Sequence, residues 1–123
     1  MRVPRILVAV PLIAAGAFLP AWGGAPAKAP PGTIGMVHED FSTTQIEIHV
    51  GESVTLVNDS HYLHVIVPGR DGVTVVQEGN ALTHRLLSQA GDVFTTPPFE
   101  VPGVYWITCR THVAMTLRVT VIE

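Results

Sequence analysis

The sequence has only one cysteine, Cys109, so an intrachain disulfide and zinc sites built on paired CxxC segments are both excluded. It also lacks any long stretch in which apolar residues recur with helical periodicity. Charged residues make up 14% of the chain, whereas Val, Ile and Thr recur throughout, a composition that favours strands over helices. The 123 residues are enough for a single domain with one compact core.

Basic residues are few: the chain has 7 Lys and Arg and 10 Asp and Glu, so its formal charge is −3. Two of the seven, Arg2 and Arg5, belong to the N-terminal segment described next, and without them the charge is −5. A mildly acidic domain is a poor candidate for binding nucleic acid or anionic membrane surfaces. We therefore expect no nucleic-acid partner.

The first 27 residues have the three parts of a secretory signal peptide. A positive start is followed by an apolar stretch over residues 6–19, and Ala25-Pro26-Ala27 offers a small-x-small cleavage site. The alternative is an uncleaved N-terminal anchor, because this site contains a proline and Ala21-Trp22-Gly23 competes with it. The apolar stretch is short for a membrane helix and is broken by Pro11, so we expect no membrane span in the mature chain.

These features divide the chain into a signal peptide over residues 1–27, a lead-in over 28–32 and one folded domain over 33–123. The lead-in contains Pro30 and Pro31 ahead of Gly32 and is expected to be flexible. The predicted location is the periplasm or the extracellular space, or the cell surface if the leader is not cleaved.

The domain consists of short β-prone segments separated by turn residues. The predicted strands cover residues 33–38, 44–50, 53–58, 61–67, 73–77, 93–96, a run that ends at Cys109, and 116–121. In the second strand, Ile46, Ile48 and Val50 share one face. Residues 78–90 are expected to form a loop or one helical turn. Seven or eight such strands predict an all-β fold, an antiparallel two-sheet β-sandwich with Greek-key connections.

The single cysteine lies in a short segment between the last two predicted strands, where it is followed by His112 and Met115 in a CxxHxxM pattern. Taken alone, each of these residues could be core filler or a solvated side chain. Together they place a thiolate, an imidazole and a thioether within seven residues. A His₂Cys site with a weak axial Met is the arrangement of blue-copper centres. The pattern therefore predicts copper, with a second histidine supplied from elsewhere.

The second histidine has two candidates, His61 and His64. His64 lies in the apolar run from Leu63 to Val67, where an imidazole without a partner would be costly to bury. A metal ion is one such partner. The residues alone leave both candidates open.

Three segments share residues and spacing with one known family. Residues 51–58, which read GESVTLVN, are similar to the strand ahead of the first copper histidine, and His64 follows Asn58 by six positions. Residues 102–106, which read PGVYW, resemble the approach to the copper cysteine. The Cys109xxHis112xxMet115 loop has the short spacing of amicyanin-like members. The chain thus resembles the cupredoxins, the small blue-copper proteins that include plastocyanin.

The resemblance implies the cupredoxin fold and one copper ion, Cu(I)/Cu(II), bound by His64, Cys109, His112 and Met115. It also implies an exported one-electron carrier, and not an enzyme, that serves redox partner proteins. We expect a monomer whose partners dock near His112.

Three positions depart from the family pattern. Val65 stands where Asn usually follows the first copper histidine and holds the two ligand loops together. Thr111 stands where Pro is common, and Leu117 stands where Gly is usual. Because contacts around the ligands orient them and tune the metal, these changes bear on the potential and rigidity of the site.

Other copper functions are weighed against the electron carrier. A copper oxidase or nitrite reductase, or an accessory domain of such a system, would need further copper held by His-x-His pairs, and none occurs. A storage or delivery protein would favour Met- and His-rich tails, and a two-copper oxidase subunit would need a second cysteine. A non-copper domain on the same fold is the remaining alternative. The other histidines are interpreted as surface residues: His38, His49, His61 and His84.

Overall fold

The computed structural model describes residues 32–123. The predicted signal peptide, residues 1–27, and all of the predicted lead-in except Gly32 lie outside the described residues. Within 32–123 the chain forms nine strands and no helix. The strands are β1 (Thr33–Met36), β2 (Gln45–His49), β3 (Thr55–Asn58), β4 (His64–Arg70), β5 (Val73–Thr74), β6 (Arg85–Leu87), β7 (Val93–Thr95), β8 (Gly103–Cys109) and β9 (Thr116–Ile122).

These strands form two sheets, which confirms the predicted all-β sandwich. One sheet has the strand order β1-β3-β7, and the other has the order β2-β9-β8-β4-β5, with β6 also paired to β4. Most neighbours are antiparallel as expected, but β1 pairs with β3 and β2 pairs with β9 in parallel. Side-chain alternation shows which residues share a face, not which strand lies alongside, so the sequence does not predict the parallel pairs.

Two strand predictions around the fourth strand need correction. β4 begins at His64 and continues through Pro68 and Gly69, where the sequence predicts a turn, so the turn comes only at Asp71 and Gly72. Pro68 has no N–H to donate, but its carbonyl accepts a hydrogen bond from Val75 N–H at 2.8 Å. In addition, β6 lies within the segment predicted to be a loop or helical turn. The sequence did not predict this strand because three residues are too few to show a period.

The core lies between the two sheets and takes alternate residues from their strands. In β9, for example, Leu117, Val119 and Val121 are buried while Arg118 is exposed. Burying a side chain of this size contributes about 1.5–3 kcal/mol. Val50 is an exception to the predicted pattern, because β2 ends one residue earlier and Val50 lies in the following turn.

The strand order brings the beginning of β4 and the end of β8 to the same end of the sandwich. These two strands run antiparallel, with Ile66 opposite Cys109 and Pro68 opposite Ile107. β8 and β9 are also antiparallel neighbours, joined by residues 110–115 at that end. Across residues 32–123 we find no helix that could cross a membrane.

Candidate metal centre

Two neighbouring strands deliver the predicted ligands. His64 is the first residue of β4 and Cys109 is the last residue of β8, while His112 and Met115 belong to the β8–β9 connection. Both His64 and Cys109 are fully buried, whereas His112 is partly exposed. The centre is therefore rooted in the sheet on one side and reaches the surface on the other.

Three of the four predicted donors converge on one point. The Cys109 Sγ atom lies 3.7 Å from Nδ1 of His64 and 3.7 Å from Nδ1 of His112, and the three donor atoms all lie within 4.8 Å of one another. A trigonal ion bonded to sulfur at about 2.3 Å and to nitrogen at about 2.0 Å would separate those atoms by roughly 3.7 Å. The donor set and its spacing thus fit one transition-metal ion.

Met115 lies buried in the same core cluster as Cys109, at the end of the ligand loop. Its amide donates to the carbonyl of His112 at 2.9 Å. Its own carbonyl accepts from the Thr108 hydroxyl at 2.7 Å and from the Cys109 amide at 3.2 Å. The backbone of this residue is therefore held by three hydrogen bonds.

A buried hydrogen-bond network holds His64 from behind. The Ser60 hydroxyl donates to Asn58 Oδ1 at 2.7 Å and lies 3.1 Å from Nε2 of His64. Because the only hydroxyl proton points to Asn58, the network assigns a proton to Nε2 of His64 and leaves the Nδ1 lone pair facing Cys109. Asn58 in turn donates to the carbonyls of Tyr62 and Leu87, at 2.9 and 3.2 Å.

The charge state of His64 follows from the same surroundings. Burial lowers the pKa of His64 below its ordinary value of 6.5, and the neighbouring imidazoles of His112 and His38 lower it further. His64 is thus neutral at neutral pH. A neutral imidazole is the form that binds a metal.

Val65 stands where the family usually has the Asn that links the two ligand segments, and in the structure Thr111 makes a link between them. Its hydroxyl donates to the carbonyl of Leu63 at 3.2 Å and lies 3.1 Å from Cys109 Sγ. A second link runs from the Arg110 amide to the carbonyl of Val65 at 2.9 Å. Two departures from the family pattern therefore occur together, since Val65 cannot supply a side-chain link and Thr111 can.

The sequence interpretation missed a role for His38. Its ring stacks on Tyr62 with 3.5 Å between centroids and 9° between planes. Both rings meet His112 edge-on, with centroids 5.1 Å from His38 and 6.2 Å from Tyr62. No local signal points to this contact, because His38 and His112 lie far apart in the sequence and neither neighbourhood is distinctive. The other histidines outside the cluster, His49, His61 and His84, are exposed as expected.

The same family appears when the chain is compared with known proteins. Residues 33–122 match the model of the copper-binding proteins of the plastocyanin/azurin family. Plastocyanin from Ulva arasakii is 26% identical over 82 residues, which cover 66% of this chain and 83% of the relative. Plastocyanin from Ulva pertusa matches with the same values.

Among solved structures, the purple cupredoxin from Nitrosopumilus maritimus superposes with a TM-score of 0.60 at 29% identity, covering 73% of this chain and 98% of the other. An oxidised amicyanin variant superposes with a TM-score of 0.58 at 18% identity, covering 79% and 87%. The second likeness concerns the fold alone. Together the superpositions confirm the fold that the sequence resemblance implied.

Proposed function

The chain belongs to the plastocyanin/azurin family of copper-binding proteins, and from that premise we propose that it is an exported one-electron carrier with a single type 1 copper. The observation that carries the proposal is the convergence of two imidazole Nδ1 atoms on the only cysteine sulfur. A Cys thiolate with two histidines is the donor set of blue-copper electron-transfer centres.

Each ligand has its own role in the proposal. Cys109, His64 and His112 would hold the ion, and Met115 would contribute a weak further contact that tunes the potential. When bound, copper supplies a redox couple that takes up and releases one electron. Four protein donors leave no open position for a substrate, which favours a carrier over an enzyme.

His112 is the donor through which electrons are expected to pass, because His64 and Cys109 are fully buried. Three exposed apolar residues belong to the two ligand segments. Val113 and Ala114 follow His112 in the loop, and Leu63 accepts from the Thr111 hydroxyl through its carbonyl. A small apolar rim of this kind suits weak, short-lived contact with a redox partner. The stacked rings of His38 and Tyr62 extend the rim on one side.

The charge of the domain bears on the kind of partner. Residues 32–123 contain ten Asp and Glu against four Arg and no Lys. Such an excess would steer a partner with a basic surface toward the domain at low ionic strength. We propose a monomer that meets such partners in the periplasm or outside the cell, after loss of the leader.

The copper site is tested by adding Cu(II) to the purified protein. We expect one equivalent to bind and an intense charge-transfer band to appear near ~600 nm, because the thiolate donates charge to the metal. Cys109→Ser should abolish the band, and His61→Ala should leave it unchanged. A band that survives in Cys109→Ser, or no band in the unaltered protein, would contradict the proposal.

The docking face is tested with two matched charge substitutions. Ala114→Glu places a carboxylate beside His112 and should slow electron exchange while leaving the blue spectrum intact. Val50→Glu places the same charge at the far end of β9, where the Val50 amide bonds the carbonyl of Ile122, and should have little effect. Equal exchange rates in the two variants would move the docking face away from His112.

A further inference from the structure

The β4–β5 hairpin bends back toward the metal centre. The bend is at Gly69, whose φ of +143° and close approach to the carbonyl of Val73 leave no space for a side chain. Gly69 pairs with Thr74 and Arg70 pairs with Val73, so the hairpin closes tightly. Its tip, Asp71 and Gly72, comes to lie against the β8–β9 connection that carries His112 and Met115.

The tip makes three contacts, two with the strands that flank that connection and one with Val113 inside it. The Asp71 amide donates to the Thr116 hydroxyl at 3.0 Å, and the Gly72 amide donates to the Thr108 hydroxyl at 2.8 Å. Gly72, with a φ of +78°, also lies so close to Val113 that a methyl group on its α-carbon would overlap that side chain. Thr108 and Thr116 face each other in the β8–β9 ladder, so the tip touches both strands where the ligand loop begins and ends.

One of these contacts continues to the backbone of Met115. The Thr108 hydroxyl accepts from the Gly72 amide and donates to the carbonyl of Met115 at 2.7 Å. Thr108 is fully buried, so the chain of hydrogen bonds is shielded from water. Hydrogen bonds in sequence polarise one another in such surroundings, and breaking one leaves a buried group without a partner.

We propose that the hairpin tip, Asp71 and Gly72, is a clasp that positions the ligand loop. Thr108 is the positioning residue, because its hydroxyl bonds both the Gly72 amide and the Met115 carbonyl. An exposed loop with few contacts would open locally, whereas the clasp pins both of its ends. Contacts of this kind orient metal ligands without touching the metal. The role at copper rests on the proposed function, but the clasp itself is testable without copper.

The first test is amide hydrogen exchange on the copper-free full chain, comparing Thr108→Val with Thr108→Ser. Valine removes the hydroxyl at nearly constant volume, so exchange at the Gly72 amide, which loses its acceptor, should become about five- to tenfold faster, as for loss of one hydrogen bond. Exchange at the Met115 amide, which bonds the carbonyl of His112 inside the loop, should also become faster if the clasp holds the loop. Serine restores the hydroxyl and should return exchange toward the original rate. Unchanged exchange in Thr108→Val would overturn the clasp, whatever the protein does with copper.

The second test compares two glycines with positive φ, Gly72 at +78° and Gly51 at +91°. A methyl group at Gly51 meets no atom within 4 Å, whereas one at Gly72 meets Val113. In the copper-loaded protein, Gly72→Ala should therefore change the shape of the blue spectrum and the reduction potential, and Gly51→Ala should not. Identical spectra and potentials in the two variants would overturn the positioning role. If the unaltered protein gave no blue spectrum, the proposed function would fall, and the exchange test would still decide the clasp.

Discussion

The two histidines of the centre lie in opposite surroundings. His64 is fully buried and is held by Ser60, which Asn58 holds in turn. His112 is partly exposed and is bordered by aromatic rings and by the Thr111 hydroxyl, 3.2 Å from its Nδ1. The difference shows how one site can be rigid and accessible together. The buried side fixes the position of one imidazole, and the surface side leaves the other within reach of solvent.

The largest expected contrast is in whether added imidazole can replace a histidine ligand that has been removed. Removing either imidazole, in His64→Gly or His112→Gly, should abolish the blue band. Added imidazole should restore it in His112→Gly, because that position opens to solvent, and should fail in His64→Gly, because that position is fully buried. An absorption titration with imidazole measures this. Equal rescue of the two variants would show that burial does not separate the ligands.

The next contrast concerns stability on the buried side. Asn58→Ala removes a side chain that makes four hydrogen bonds, with Ser60, Tyr62 and Leu87 as partners. We expect the free energy of unfolding of the copper-free protein to fall by about 2–4 kcal/mol, because buried partners lose their bonds. Urea unfolding measures it.

Asn80→Ala is the matched control for this substitution. Asn80 is half-buried and makes two hydrogen bonds, to the carbonyl of Trp106 and from the amide of Leu82. Asn80→Ala should lower the free energy of unfolding by less than Asn58→Ala does, and it should leave the blue spectrum unchanged. If Asn80→Ala proved the more destabilising of the two, the network behind His64 would not be the main support that the structure indicates.

A smaller effect is expected at Thr111, which links the segment of the buried His64 to the segment of the partly exposed His112. Thr111→Val removes the bond to the Leu63 carbonyl and the contact with Cys109 Sγ, at a cost of about 1 kcal/mol. Copper should then pass faster to a chelator, since the two ligand segments separate more easily, and Thr111→Ser should restore the slower rate. A rate in Thr111→Val equal to that of the unaltered protein would leave Arg110 N–H to Val65 as the effective link.

The last effect is in the pH dependence of the copper-free protein. Because burial lowers the pKa of His64 below 6.5, the unfolded chain binds a proton there before the folded protein does. The free energy of unfolding should thus fall as pH drops below 6.5, by at most about 1.4 kcal/mol per pH unit, until the lower folded pKa is passed. Urea unfolding between pH 7.5 and roughly 5.5 would show it. In His64→Gln the free energy of unfolding should depend less steeply on pH. Equal slopes in the variant and the unaltered protein would refute the assignment of the effect to His64.

Much of the fold and of the candidate site was open to prediction from short-range patterns. Alternation in β9 correctly placed its buried residues, and the CxxHxxM spacing pointed to three donors on one loop. His64 followed from its apolar surroundings and from its distance to Asn58. That these residues bind copper remains a prediction. The parallel strand pairs, β6 and the course of β4 were missed, since each depends on a neighbour distant in sequence.

The amino-acid sequence by itself determined which donor types are present and that three of them, Cys109, His112 and Met115, lie within seven residues. Periodicity and spacing of that kind are local, because they need only a few consecutive residues. Only the tertiary structure decided what holds the donors in place. Thr111 meets Leu63 across 48 positions and Gly72 meets Thr108 across 36. His38 meets His112 from the bend that follows β1. Such partners are chosen by sheet order and strand bends, and these are set by the packing of the whole core.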